Sequence, residues 1–289
     1  MIIASLLAGL TIARRHLRLA IALFALNLLT ALALTVPFYR ELMGEIGYSL
    51  TGTELLEGFR FSWLAEFEFN HPSFFPAMDS LILPVAIIYF FVQSVLAGGI
   101  IEALRAGEGD HPFRRFSQGV SQHFFPFLRL ALISFALYLL TYRLVGIRAG
   151  KWLENLAVDS PSQPLAFAVG VGGSLLTLAA LLFLDMVFDY ARIKKIIDGF
   201  PSALLATLGA LRFCLENLRG TACLYLLLLL LAGGWIGLYL LLYSIIPQNQ
   251  LSGIVYLFLV QEIFMLGRVF LGVAAYSCQM EYYLRSRYP

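Results

Sequence analysis

Between Thr221 and Ile246 the chain has no charged side chain. At about 1.5 Å of rise per helical residue, that run exceeds the roughly 30 Å hydrocarbon thickness of a bilayer. Other long apolar stretches recur. The pattern predicts six transmembrane helices, over Leu17–Phe38, Leu81–Ile101, Phe124–Val145, Leu165–Phe188, Thr221–Ile246 and Leu251–Met280. The expected fold class is all-α, a polytopic membrane protein forming one integral membrane domain over 1–289. Only helices and closed barrels satisfy their own backbone groups in lipid, and these runs have the length of helices.

The segments between the spans alternate in charge. One set holds Arg14, Arg15, Arg18, Arg105, Arg114, Arg115, Arg129, Arg192, Lys194, Lys195, Arg212, Arg219, Arg285 and Arg287. The other holds Arg40, Arg60, Arg143, Arg148 and Lys151. The positive-inside rule then predicts that both termini are cytoplasmic; the expected location is a bacterial-type inner membrane.

The first outer connection, 39–80, is acidic, with Glu41, Glu45, Glu54, Glu57, Glu66, Glu68 and Asp79 against Arg40 and Arg60. Thr51 with Glu54 fits a capping box and predicts a helix start. Phe61, Trp63, Phe67 and Phe69 predict a segment on the membrane surface or over the bundle. Glu66 and Glu68 read as solvated loop acids rather than a general acid/base pair. The last outer connection is expected to be a tight turn at Pro247, Gln248, Asn249 and Gln250.

A repeat of about ninety residues is also expected. Semi-polar segments, Gly9–Arg18, Gly119–Arg129 and Gly209–Arg219, precede the odd-numbered spans. An offset of ninety carries Arg105 to Lys195, Glu108 to Asp198, Gly109 to Gly199, Gly119 to Gly209 and Arg129 to Arg219. The predicted unit is an amphipathic helix in the cytoplasmic interface, a span out, a loop and a span back. Three such hairpins would occupy 1–101, 109–195 and 199–289. In Pro201–Asn217 the leading Pro is compatible with a first helical turn.

Composition agrees: 60% of the 289 residues are hydrophobic, 13% are charged, and the mean hydropathy is +0.82. A typical soluble domain is roughly 25% charged. The net charge of +2 includes no basic stripe, so no nucleic-acid partner is expected. Cys214, Cys223 and Cys278 lack CxxC spacing and read as apolar packing residues. No small-x-small cleavage site follows the first long span, so a cleavable signal peptide is not expected. His16, His71, His111 and His123 are scattered, and two of them precede Pro. They read as loop and interfacial residues, so neither a metal nor a cofactor is expected. The P-loop, HExxH, GxSxG and Rossmann signatures are absent from the sequence, and no nucleophile pairs with a base, so enzymatic activity is not expected.

Ionisable groups within spans are the best functional pointers, because a mid-bilayer charge costs at least about 2.5–3.5 kcal/mol. The candidates are Glu262, Arg268, Gln261, Asp185, Asp189, Arg192 and Arg143. Helical geometry puts Gln261, Arg268, Gly272 and Gln279 on one stripe, expected to face the bundle. Asp189 and Arg192 are spaced to pair, and Arg143 has the depth to approach Glu262. Asn27 is a lone amide in the first span. Small residues (Gly98 and Gly99; Ala166, Gly170 and Ser174; Gly233 and Gly237) predict close helix packing. Two readings of the charges stay open. They fix helix register, or they line a polar cavity for a substrate, a proton or a lipid headgroup.

Four sequence features support a resemblance: Arg14–Pro37, Gly98-Gly99-Ile100 leading to Phe113-Arg114-Arg115-Phe116, Asp189-Tyr190-Ala191-Arg192, and Gln261 to Arg268. On these the chain resembles uncharacterised bacterial six-span proteins, a group that includes the membrane domain found beside glycerophosphodiester phosphodiesterases. The resemblance implies an all-helical membrane fold. The phosphodiesterase domain is absent from the sequence, so that activity is not implied. The expected function is non-enzymatic handling or transport of a small molecule or lipid. A structural or assembly subunit of a larger membrane complex is the alternative. Expected partners are membrane lipids and other membrane subunits or further copies of the chain.

Overall fold

The computed structural model describes residues 1–46, 61–106, 111–151, 163–247 and 250–287. The helix start expected at Thr51 and Glu54, the pair Glu108 and Gly109, and the centre of the turn at Gln248 and Asn249 lie outside them. The helices are α1 (Ile2–Arg15), α2 (Leu17–Ile46), α3 (Phe61–Asn70), α4 (Phe74–Arg105), α5 (Pro112–Thr141), α6 (Gln163–Ile197), α7 (Ala203–Glu216), α8 (Leu218–Ile245) and α9 (Leu251–Arg287). A π-helical stretch, Tyr142–Ala149, continues α5. No strand occurs among the described residues.

Five helices are long and apolar enough to cross a membrane, and α1 with α2 makes a sixth if that pair, bent by 71°, counts as one span. The protein is therefore a multi-pass membrane protein by the length and apolarity of its helices.

Several expected boundaries move. The fourth span was expected to stop at Phe188, but α6 runs on through Asp189 and Arg192 to Ile197. Its last turns stay helical because their side chains are covered by neighbouring helices rather than by water. A separate helix was expected over Gly119–Arg129. Instead α5 is continuous from Pro112, with Pro126 inside it. Pro201 lies outside α7, which starts at Ala203 after the N-cap Ser202.

The chain divides into two compact units. The first comprises Met1–Leu10, Phe91–Leu226 and Tyr276–Pro289. Its core is built where helices end. Residues 94–104 of α4, 186–196 of α6 and 277–283 of α9 are its most continuously covered stretches. Small residues let backbones approach there. A Cβ on Gly99 would strike the Phe116 carbonyl and Val120, and one on Gly119 would strike Glu102 and the Gly99 backbone. A Cβ on Gly9 would strike the Cys278 backbone. In α7 the buried residues Ala203, Ala206, Ala210 and Cys214 share one face at helical spacing. That helix makes its most extensive packing against α6.

The second unit comprises Thr11–Phe90 and Leu227–Ala275. Within it, Phe67 of α3 is buried among Trp63, His71, Phe74 and Phe75. The Tyr89 hydroxyl donates to Asn27 Oδ1 at 3.3 Å, so the lone amide of the first span has a partner. Trp235 of α8 covers Gly267 of α9 and donates its indole N–H to the Phe264 carbonyl at 3.0 Å.

The helix breaks at His16 and Asn217 have one geometry. The His16 carbonyl accepts from the Leu19 and Ala20 N–H groups, and the Asn217 carbonyl accepts from those of Gly220 and Thr221. A Leu-Arg pair follows each break, and Leu128-Arg129 occupies the corresponding place in the unbroken α5. The residues two further on are buried in each case: Ala20, Ala131 and Thr221.

Candidate functional site

The first unit contains a network of polar side chains centred on α6. Asp185 and Asp189 are one turn apart and share a helix face, with Arg192 three residues beyond Asp189. Three other helices supply partners. Tyr138 of α5 donates to Asp185 Oδ1 at 3.0 Å, and Tyr225 of α8 donates to Asp185 Oδ2 at 2.7 Å. The Arg192 guanidinium donates to Asp189 Oδ1 and to the Tyr276 hydroxyl of α9, both at 2.9 Å. Gln279 of α9 donates its amide N–H to Asp189 Oδ2 at 3.2 Å. The Asp189 and Arg192 side chains are only 14% and 10% exposed.

Two properties distinguish this network from an ordinary ion pair. First, two carboxylates stand one helical turn apart with one guanidinium, which bonds to Asp189, while Asp185 is held by two phenols. Second, Gln279 is 1% exposed, and its amide oxygen is buried without a hydrogen-bond partner among the described residues. A buried carbonyl oxygen without a donor costs about 1–3 kcal/mol. The arrangement is suited to accepting a proton or the N–H or O–H group of a ligand.

A second cluster closes the end of α6. Asp198 accepts from the Tyr283 hydroxyl at 2.7 Å and from Arg287, and Lys194 lies 3.9 Å away. The Lys194 ammonium sits 5.4–5.7 Å from the ring centres of Phe200, Phe213 and Tyr283 and donates to the Gly209 carbonyl. Lys195 donates to the carbonyls of Phe200 and Pro201, and Arg105 to that of Ile196. Cations here meet the carbonyl end of a helix, where the dipole favours them. Gly199, at φ +65, supplies the left-handed residue that turns the chain toward α7. Burial in α7 pushes the Cys214 thiol up to about 12, so it stays protonated.

Of the seven residues singled out from sequence, the structure brings together Asp185, Asp189 and Arg192. Arg143 lies in the π-helical stretch of the first unit and is exposed; Glu262, of the second unit, is half-buried. Gln261 and Arg268 are exposed. The stripe expected to face the bundle therefore does so only at Gln279. Gly272 is exposed, and nothing stands within 4 Å of where its Cβ would be. Close packing was likewise expected at Gly170, Gly233 and Gly237, but these too face open space; Gly98 and Gly99 are packed. Tyr138, Tyr225 and Tyr276 were not read as partners, because a Tyr near a span end reads first as an interfacial anchor. The offset of ninety that carries Asp189 to Gln279 was the available signal for that contact.

No family model, curated protein or solved structure matches the chain.

Proposed function

We propose that this protein is a non-enzymatic inner-membrane component that handles or transports a small molecule or lipid. In this reading six spans form three hairpins, each opened by a helix lying in the cytoplasmic interface, with both termini inside the cell. The resemblance to bacterial six-span proteins implies an all-helical membrane fold, and the charge alternation and the ninety-residue offset suggest this arrangement of it. Three observations support the hairpin arrangement. The breaks at His16 and Asn217 share one hydrogen-bond pattern. Closely packed glycines occur at Gly9 and Gly119. The covered stretches of α4, α6 and α9 contain Gly99, Asp189 and Gln279, which are ninety residues apart. Parallel repeats of this kind occur in transporters.

The observation that carries the functional reading is the Asp185–Asp189–Arg192–Gln279 network. It is a group of ionisable side chains in apolar helices, with one more acid than base and a buried acceptor left over. Polar groups inside a membrane are costly, and substrate and proton paths are where such costs are met.

Native mass spectrometry of the gently solubilised protein tests it. The expected result is a small molecule or lipid that stays with the wild type. It should be lost from Asp185→Asn and Gln279→Leu variants that keep the folded yield. A wild type carrying nothing, or variants retaining the same molecule equally, overturns the proposal.

A structural or assembly role is the second reading. It is favoured by the exposure of Arg268 and Gln261 within a span. That reading expects a stable partner on purification and no effect of the Asp185 substitution on any bound small molecule.

A further inference from the structure

The least covered span carries a charge near mid-length. None of the residues in the apolar window of α9 is buried. Along it, Phe258, Gln261, Met265, Arg268 and Gly272 are all exposed. Their spacing alternates three and four, which is the seam of a helix that packs lengthwise against another helix.

Arg268 lies far from either membrane surface. Trp235 is near the middle of the uncharged run from Thr221 to Ile246, and within its unit it packs on Gly267. Arg268 is therefore level with the middle of that run, too deep for its side chain to reach headgroups by snorkelling. No described residue of the same unit pairs with its guanidinium. Glu262 is six residues away and lies off the seam. Gly272, one turn further along, leaves room for a second backbone to come close.

We infer that the α9 face from Phe258 to Gly272 docks a transmembrane helix of another membrane protein, one that carries a carboxylate opposite Arg268. Charge identifies the occupant. A guanidinium in hydrocarbon is matched best by a carboxylate that meets its planar fork. A second copy of this chain does not supply one. Copies in one membrane share an orientation, so a two-fold seam would set Arg268 against Arg268. The inference is independent of the small-molecule reading, which concerns α6 and its partners.

The test uses the full-length protein with a donor fluorophore, reconstituted in phosphatidylcholine vesicles at pH 8. Synthetic Leu/Ala transmembrane helices carrying an acceptor present Glu, Leu or Lys at mid-length. Energy transfer should show the Glu helix binding about tenfold more tightly than the Leu helix, the scale of one interhelical polar pair. The Lys helix should bind no better than the Leu helix. Arg268→Gln should abolish the preference for Glu, Arg268→Lys should retain part of it, and both variants should unfold at the wild-type temperature. Equal binding of the Glu and Leu helices overturns the inference, as does a preference that survives Arg268→Gln. Two other results also overturn it: self-association of the chain that is lost with Arg268→Gln, and displacement of the Glu helix by phosphatidylglycerol.

Discussion

Gln279 donates its amide N–H to Asp189 Oδ2 at 3.2 Å, and the two residues stand ninety positions apart. Their segments of α9 and α6 meet where each helix is most covered. The contact thus joins two helices far apart in the chain. Replacing Gln279 with Leu removes the donor and also the stranded carbonyl oxygen. The net loss should be modest, about 1 kcal/mol, because the two effects oppose each other. Gln279→Glu should cost more, since it sets a third carboxylate beside Asp189. Thermal unfolding in a fixed detergent would rank the two.

Arg192 and Asp189 should not contribute independently. Arg192→Leu leaves a buried carboxylate without its cation, a loss of roughly 3–5 kcal/mol. Asp189→Leu does the converse. The double substitution removes both charges and should be less damaging than the sum of the singles. A double-mutant cycle with additive effects would contradict the pairing seen at 2.9 Å.

Two phenols hold Asp185. Tyr138→Phe and Tyr225→Phe each remove one hydrogen bond to a carboxylate, worth about 1.5–3 kcal/mol. The second removal should cost more than the first, because it strips the last of these two donors from a partly covered group. If neither single variant shifts the unfolding midpoint, the phenols do not bear on stability.

Glycines separate packing from chance spacing. Gly99→Ala drives a methyl group into the Phe116 carbonyl and Val120 and should cost roughly 1–3 kcal/mol. Gly170→Ala meets open space in a helix and should be neutral or stabilising by up to about 1 kcal/mol. Unfolding of the two variants side by side measures the difference.

Thiol chemistry should follow burial. Cys214 is buried and its thiol is pushed up to about 12, so near neutral pH it offers almost no thiolate. Cys223 is exposed and Cys278 is buried. A membrane-permeant maleimide at pH 7.5 should modify Cys223 first, and Cys214 only after denaturation. Mass spectrometry of the peptides reads the order.

The sequence by itself determined the material and the length scale. An uncharged run such as Thr221–Ile246 has no stable place outside hydrocarbon, whatever surrounds it, so spans are legible from local chemistry alone. The pairing of Asp189 with Arg192 was legible for the same reason, since three residues along a helix bring side chains together in any fold. Tertiary structure decided the rest. Which glycines pack, which tyrosines turn toward Asp185, and that α6 continues past Phe188 all depend on what lies across the interface. One helix repeat serves equally for a face toward lipid and a face toward protein. Arg268 shows the same limit: periodicity set its stripe, but only the arrangement of neighbouring helices covered that stripe at Gln279 and left it open at Gln261, Arg268 and Gly272.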